Sequence, residues 1–321
     1  MDVTPRPPTK GIPGSFPSDS QQAEFDLKNL VLRTGKIVVF VGAGTSIPPG
    51  QAWIETVGTI ADRCGVAFTR DPRMSSTDLR KAIDACIAKN QPACDGALRE
   101  LFPVHIAKTR PAIPHLSRLK FKAIVTTNFD PWLRMHLRQS DYPKCLVYPD
   151  LSLNGGIDGN IYYIHGFFNS DDPDAKITDL VFGEDSFCTA YNSSLLPGFL
   201  LNLFVYETVL FVGFNPTEDY IADILYRSVG LRKHIAARIR APEQSLPRRF
   251  ILQGVLPTTT DRDRGNLQRS LAQLDTLQIE PVYYDARDGH VGLERLLFNW
   301  VEQGSVENRP PPFSPSFGGA Q

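Results

Sequence analysis

Four short stretches of this chain hold the residue types that could do chemistry. Gly42-Ala43-Gly44-Thr45-Ser46 follows the apolar run Ile37 to Val41, and Thr126-Thr127-Asn128-Phe129-Asp130 follows Ala123-Ile124-Val125. His165-Gly166 follows Asn160 to Ile164, and Gly213-Phe214-Asn215 follows Thr208 to Val212. Glycines at a strand tip let the backbone turn sharply and approach a ligand without a Cβ in the way. A helix after them would aim free N–H groups at a phosphate, and Thr45 and Ser46 would add hydroxyl donors. The Asn128 amide both donates and accepts. An imidazole such as that of His165 exchanges protons near neutrality. Each residue also has a plain structural use. Asn128 and Asp130 could cap the next helix, a strand-end histidine could be a packing group, and Glu218 and Asp219 could open a helix for dipole reasons alone. The other histidines, at 105, 115, 136, 234 and 290, show no partner pattern.

Two familiar phosphate loops are excluded. A Walker loop needs Gly-Lys-Ser/Thr after its spacer, and Gly35-Lys36-Ile37 does not supply it. A dehydrogenase fingerprint wants a third glycine where Ile47 stands, and an acidic residue closing the second strand. Asp62 has the right distance but falls in a helical stretch.

The elements that must position these residues alternate. Ile37 to Val41 is continuously apolar, as expected of a strand covered on both faces. Short strands are expected over 123–127, 144–148, 160–164, 208–212, 249–253 and 279–284. Helices are expected over 52–64, 131–138, 187–206 with a break near Pro197-Gly198, 218–227, and a closing stripe through Leu293, Leu297 and Trp300. Leu79, Ile83, Cys86 and Ile87 mark a helical insertion over about residues 66–110. Strand–helix alternation gives an α/β fold with an open parallel sheet. In such sheets ligands bind beyond the carboxyl ends of the strands, which is where all four stretches lie.

Composition is that of a globular chain of 321 residues with net charge −1, which offers no bulk attraction for a nucleic-acid backbone. The basic cluster Arg232, Lys233, Arg238 and Arg240 reads as a solvated helix face. Five scattered cysteines without a Cys-x-x-Cys pair read as reduced thiols in a cytoplasmic protein with no zinc ribbon. No apolar run approaches the ~20 residues of a membrane span. Residues 1–22 and 304–321 are Pro-rich and read as loose ends around a domain over 23–303.

In series, GAGTS, TTNFD, His-Gly and the later Gly213 strand end resemble the sirtuin superfamily over roughly residues 30 to 230. That resemblance implies a Rossmann-like NAD-binding domain with helices on both faces of its sheet. It departs from sirtuin deacylases in the zinc module, since Cys188 is the lone cysteine between Gly166 and Gly213. It looks more like the zinc-free sirtuin-like branch of bacterial antiphage defence, whose members hydrolyse NAD. There a Gly-x-Pro-x-Trp follows the first loop, and Trp53 comes one residue early; Asn215 stands where a serine is usual.

By this resemblance NAD is a substrate, with no metal. Gly42, Ala43, Gly44, Thr45, Ser46, Thr127, Gly213 and Asn215 would bind it. Asn128, Asp130 and His165 would be catalytic: Asn128 on the ribose or a water, Asp130 orienting or holding the carboxamide, His165 accepting a proton. The implied activity is an NAD+ glycohydrolase, gated by homo-oligomerisation or by a separate partner such as a helicase or nuclease. The competing readings are a protein deacylase or ADP-ribosyltransferase using the same site, and a non-catalytic nucleotide-binding module.

Overall fold

The computed structural model describes residues 18–46, 53–104, 112–151, 156–217, 219–240, 242, 246–256, 261–287 and 291–307. Ile47, the Gly50-Gln51-Ala52 stretch, His105, Glu218, His290 and, of the Pro-rich ends, residues 1–17 and 308–321 lie outside these residues. The strands are β1 (Ile37–Val41), β2 (Ala123–Thr126), β3 (Lys144–Val147), β4 (Asn160–Tyr163), β5 (Thr208–Val212), β6 (Arg249–Val255) and β7 (Glu280–Asp285). They form one seven-stranded sheet in the order β3-β4-β2-β1-β5-β6-β7. Every pairing is parallel. This is a Rossmann-like α/β fold.

The sequence explains why the sheet is covered twice. Ile37, Val39 and Val41 pack into one buried cluster, and Val38 and Phe40 into the other. The first cluster holds α1 (Ser18–Arg33), α2 (Trp53–Cys64), α3 (Ser76–Leu101), α4 (Ala112–Leu116), α5 (Trp132–His136) and α10 (Val291–Glu307). The second holds α6 (Glu184–Asn192), α7 (Leu196–Tyr206), α8 (Asp219–Ile239) and α9 (Asp261–Thr276). A strand buried on both faces has no polar side to alternate with, so its residues are apolar throughout.

Strand order reverses at β1. The chain passes from β1 through α2, α3 and α4 to β2 on one side, and returns through α6 and α7 to β5 on the other. A crevice opens at such a switch point. The helical insertion is chiefly α3, packed along α2. Its start is fixed by a reciprocal cap: the Asp78 N–H donates to Ser75 Oγ at 3.2 Å and the Ser75 N–H to Asp78 Oδ2 at 3.3 Å. It kinks at Asn90, whose φ and ψ are non-helical, just before Pro92. All five cysteines are free thiols, and the buried Cys64 and Cys94 bring α2 and α3 together with their sulfurs 3.0 Å apart.

Several boundaries differ from expectation. The helix expected over 187–206 is two helices, and its break falls at residues 193–195 rather than at Pro197-Gly198. Pro197 sits in the first turn of α7, where its missing N–H has no intrahelical partner to lose. Helix α1 begins at Ser18, inside the stretch read as a loose arm, and buries Ala23, Leu27 and Val31. Helix α9 was not anticipated. Arg232 is a correction: it is buried, and it donates to the Pro247 carbonyl.

Beside it Arg249, at the start of β6, is fully buried and donates to the Leu277 carbonyl (2.7 Å), the Phe204 carbonyl (2.8 Å) and Ser228 Oγ (2.6 Å). Those carbonyls lie at the C-terminal ends of α9 and α7, where a cation is favoured. Arg249→Met should remove about 3 kcal/mol of stability by orphaning them. The urea midpoint should fall with unchanged slope; an unchanged midpoint would contradict this role for Arg249.

Candidate active site

A cavity of about 390 Å³ lies beyond the carboxyl ends of β1, β2, β4 and β5. That size lies within the usual range for small-molecule sites. Its walls include Ala43, Gly44 and Ser46 after β1, Thr127, Asn128 and Asp130 after β2, His165 after β4, and Gly213 and Asn215 after β5. So the four stretches meet in one place. Gly42 and Thr45 do not line it; they lie buried beneath the loop.

The loop after β1 closes in a single turn of 3₁₀ helix, Ala43–Thr45. Its amides turn inward. The Gly42 N–H donates to the Val212 carbonyl (3.0 Å), Gly44 to Gly213 (2.8 Å), Thr45 to Gly42 (3.1 Å) and Ser46 to Ala43 (2.9 Å). These four N–H groups are thus committed within the fold, and the start of the helix expected to aim further N–H groups at a phosphate lies outside the described residues. The glycines have another necessity. A Cβ on Gly44 would stand 2.9 Å from Gly213 Cα, and one on Gly42 2.6 Å from the Gly213 carbonyl oxygen. Gly213 itself has φ +60°. The loops after β1 and β5 interlock backbone to backbone.

Asn128 clasps this assembly. Its Nδ2 donates to the Gly42 carbonyl (3.1 Å), to Ser46 Oγ (2.8 Å) and, more weakly, to Thr45 Oγ1 (3.3 Å). Its own N–H is held by Thr126 Oγ1 at 3.0 Å. The Gly42 carbonyl can only accept, which fixes the amide's orientation. Oδ1 of Asn128 is buried with no hydrogen-bond partner. A buried acceptor without a donor costs free energy, and the residue that carries it is one of those lining the cavity.

His165 is placed by the turn after β4. Gly166 has φ +90°, and a Cβ there would stand 2.7 Å from the Asp179 carbonyl oxygen. The His165 carbonyl accepts from the Val181 N–H (2.9 Å). Its Nε2 shares a hydrogen bond with Tyr191 Oη at 2.8 Å, and its ring meets Phe187 edge-on at 4.9 Å. Burial, and secondarily the charge of Arg80, push its pKa down to about 3. It is a neutral imidazole across the physiological range. Asp130 Oδ1 accepts from the Trp132 N–H (3.1 Å), so this carboxylate caps α5 and lines the cavity as well. Asn215 Oδ1 accepts from Thr217 N–H and Oγ1.

Residues beyond the four stretches complete the walls. Trp53 packs edge-on against Phe182 at 4.9 Å. Arg80, from α3, lies 5% exposed with its Nε 2.6 Å from Glu184 Oε2 and its guanidinium 4.7 Å from the Phe187 ring centre. Nothing in the sequence pointed to Arg80, Phe187 or Tyr191, because their partners are distant in the chain; only the fold brings them together. Among the described residues no group of His, Cys, Asp or Glu is arranged to hold a metal ion. No helix among them is long and apolar enough to cross a membrane.

The depressed pKa of His165 fixes the sign of a pH effect. The unfolded chain binds a proton near pH 6.5, and the folded state does so only near 3. The contribution of neutral His165 is therefore complete above about pH 6.5 and lost as pH falls towards 3, at up to about 1.4 kcal/mol per pH unit. His165→Gln should flatten the stability profile in that window relative to the parent. Parallel profiles, or an imidazole NMR signal titrating near 6.5, would contradict the buried neutral ring.

Three comparisons bear on this geometry. No curated protein matches the chain. A solved structure of a Sir2 homologue mutant in complex with ADP-ribose aligns over 89% of this chain and 98% of its own, with 9% identity and a TM-score of 0.36. The family model described as SIR2-like domain matches residues 122–256. That stretch runs from β2 through β6 and carries Asn128, Asp130, His165 and Gly213; over it, the chain is similar to a SIR2-like domain.

Proposed function

We propose that the protein is an NAD+ glycohydrolase, cleaving NAD+ to nicotinamide and ADP-ribose. The observation that carries this reading is the buried Oδ1 of Asn128, without a hydrogen-bond partner among the described residues, on a residue that lines the same cavity as neutral His165. The likeness of residues 122–256 to a SIR2-like domain supports an NAD-related ligand.

The chemistry suits these residues. Breaking the nicotinamide–ribose bond builds positive charge on the ribose, as in other glycosyl transfers. Nicotinamide enters the bond as a cation and leaves neutral, so no general acid is required. What remains is to hold the ribose, orient a nucleophile and take its proton. Asn128 Oδ1 accepts a hydrogen bond from a ribose hydroxyl or from the attacking water. Its Nδ2 is already committed to the loop after β1, so the acceptor end cannot swing away. His165 is unprotonated before substrate arrives but is a weak base while its pKa is held near 3; it takes the proton once bound NAD+ brings its negative phosphates into the site and favours the charged ring. Asp130 orients the nicotinamide end. The diphosphate crosses the interlocked loops, against Ala43, Gly44, Ser46, Gly213 and Asn215, with Ser46 Oγ and Thr127 at hand as polar contacts.

An unrestrained enzyme of this kind would drain its own cell of NAD. The reading therefore includes a defence effector held in check by self-association or by a separate partner. Purified protein should release nicotinamide with a specific activity that rises with protein concentration or with phage-infected lysate. A full rate in dilute monomer would contradict the restraint. Asn128→Ala and His165→Ala should each lower turnover by at least about a hundredfold. Nicotinamide release unchanged in both variants, or absent from the parent under every condition, would overturn the cleavage reading.

A further inference from the structure

Two helices contribute to the wall of the cavity that holds His165. Ser76, Leu79 and Arg80 of α3 line it, and so does Phe187 of α6. Phe187 stands between Arg80 and His165: the guanidinium lies 4.7 Å from its ring centre, and the imidazole 4.9 Å. The helices are fastened to each other. Arg80 Nε donates to Glu184 Oε2 at 2.6 Å, with both side chains largely buried. Arg80 Nη2 donates to Thr77 Oγ1 (3.0 Å), and Glu184 Oε1 also accepts from Tyr220 Oη of α8 (3.0 Å). One turn along α3, Asp84 Oδ2 accepts the Asp185 N–H at 3.2 Å at the start of α6. Tyr220 stacks on Tyr191, which holds His165.

We propose that this α3–α6 wall, bolted by Arg80 and Glu184, sets the acceptor specificity of the site. It leaves room at the reacting carbon for water or a nucleophile of similar size and excludes acyl-lysine chains and other bulky acceptors. The inference rests on the cleavage reading above and deepens it. In the step concerned, the ribose C1′–nitrogen bond breaks with its electron pair passing to nicotinamide. A new C1′–oxygen bond forms to the nucleophile, whose proton goes to the His165 imidazole and then to solvent. Glu184 touches none of the reacting atoms; it is a positioning residue that keeps the wall shut. Removing it takes the carboxylate from the Arg80 guanidinium and the acceptor from Tyr220 Oη together, which loosens the fastening between the helices.

The test is the partition of ADP-ribose between water and added alcohols, which does not depend on overall rate. The parent should form ADP-ribose and, with methanol, its methyl glycoside, but little benzyl glycoside at equal alcohol concentration. In Glu184→Ala the benzyl product relative to water product should rise at least about tenfold. Glu184→Gln should show the same direction with a smaller rise, because its amide keeps a hydrogen bond to Arg80, and it carries the test if the alanine variant does not fold. Nicotinamide release with a partition equal to the parent's in the folded variant overturns this inference and leaves the hydrolase reading standing. A parent that accepts benzyl alcohol as readily as methanol overturns it too. No nicotinamide release from any form overturns both.

Discussion

The site depends on one clasp, the Asn128 amide donating into the loop after β1. The loop that accepts it is itself locked to the loop after β5 through the Gly44 N–H and the Gly213 carbonyl. Three strand ends are thus tied by hydrogen bonds at the point where strand order reverses. With Nδ2 held, Oδ1 has one direction to point, and it has no protein donor. A fold that leaves a buried acceptor unsatisfied at a switch point has built in a preference for something that can donate to it. The interlock also accounts for the glycines. They are needed because two backbones meet, and a ligand is not required to explain them.

Burial does a second job at His165. Aromatic neighbours and the nearby Arg80 make the charged imidazole costly, so the ring stays neutral. That excludes a pre-charged ring and makes His165 a weak base as long as nothing offsets its burial. Arg80 in turn is tolerated in this surrounding because Glu184 and Thr77 take its hydrogen bonds and two aromatic rings lie beneath it. The wall, the His165 imidazole and the aromatic group between them are therefore one electrostatic unit, assembled from α3, α6 and the end of β4.

Much of this was legible in the sequence. The continuous apolar run at β1 requires cover on both faces, and the structure supplies two buried clusters. Asn128, Asp130 and His165 stand at strand ends and meet in one cavity. What was not legible has physical causes. Arg80 lies 104 residues from Glu184, and no local pattern encodes that pairing. Among the described side chains of helix α9 Leu274 alone is buried, with Leu277 just beyond, which makes a thin apolar stripe. Arg232 and Arg249 look like surface charge until the carbonyls they hold are in place. The turn of the Gly42 and Gly44 amides onto Val212 and Gly213 is a tertiary fact.

The most direct measurement is a crystal structure with an NAD analogue whose glycosidic nitrogen cannot leave. The account predicts a ribose hydroxyl, or a water beneath the ribose, donating to Asn128 Oδ1 at hydrogen-bond distance, with the anomeric carbon facing His165. An analogue bound elsewhere, or one bound here while Asn128 Oδ1 keeps no donor, would contradict it.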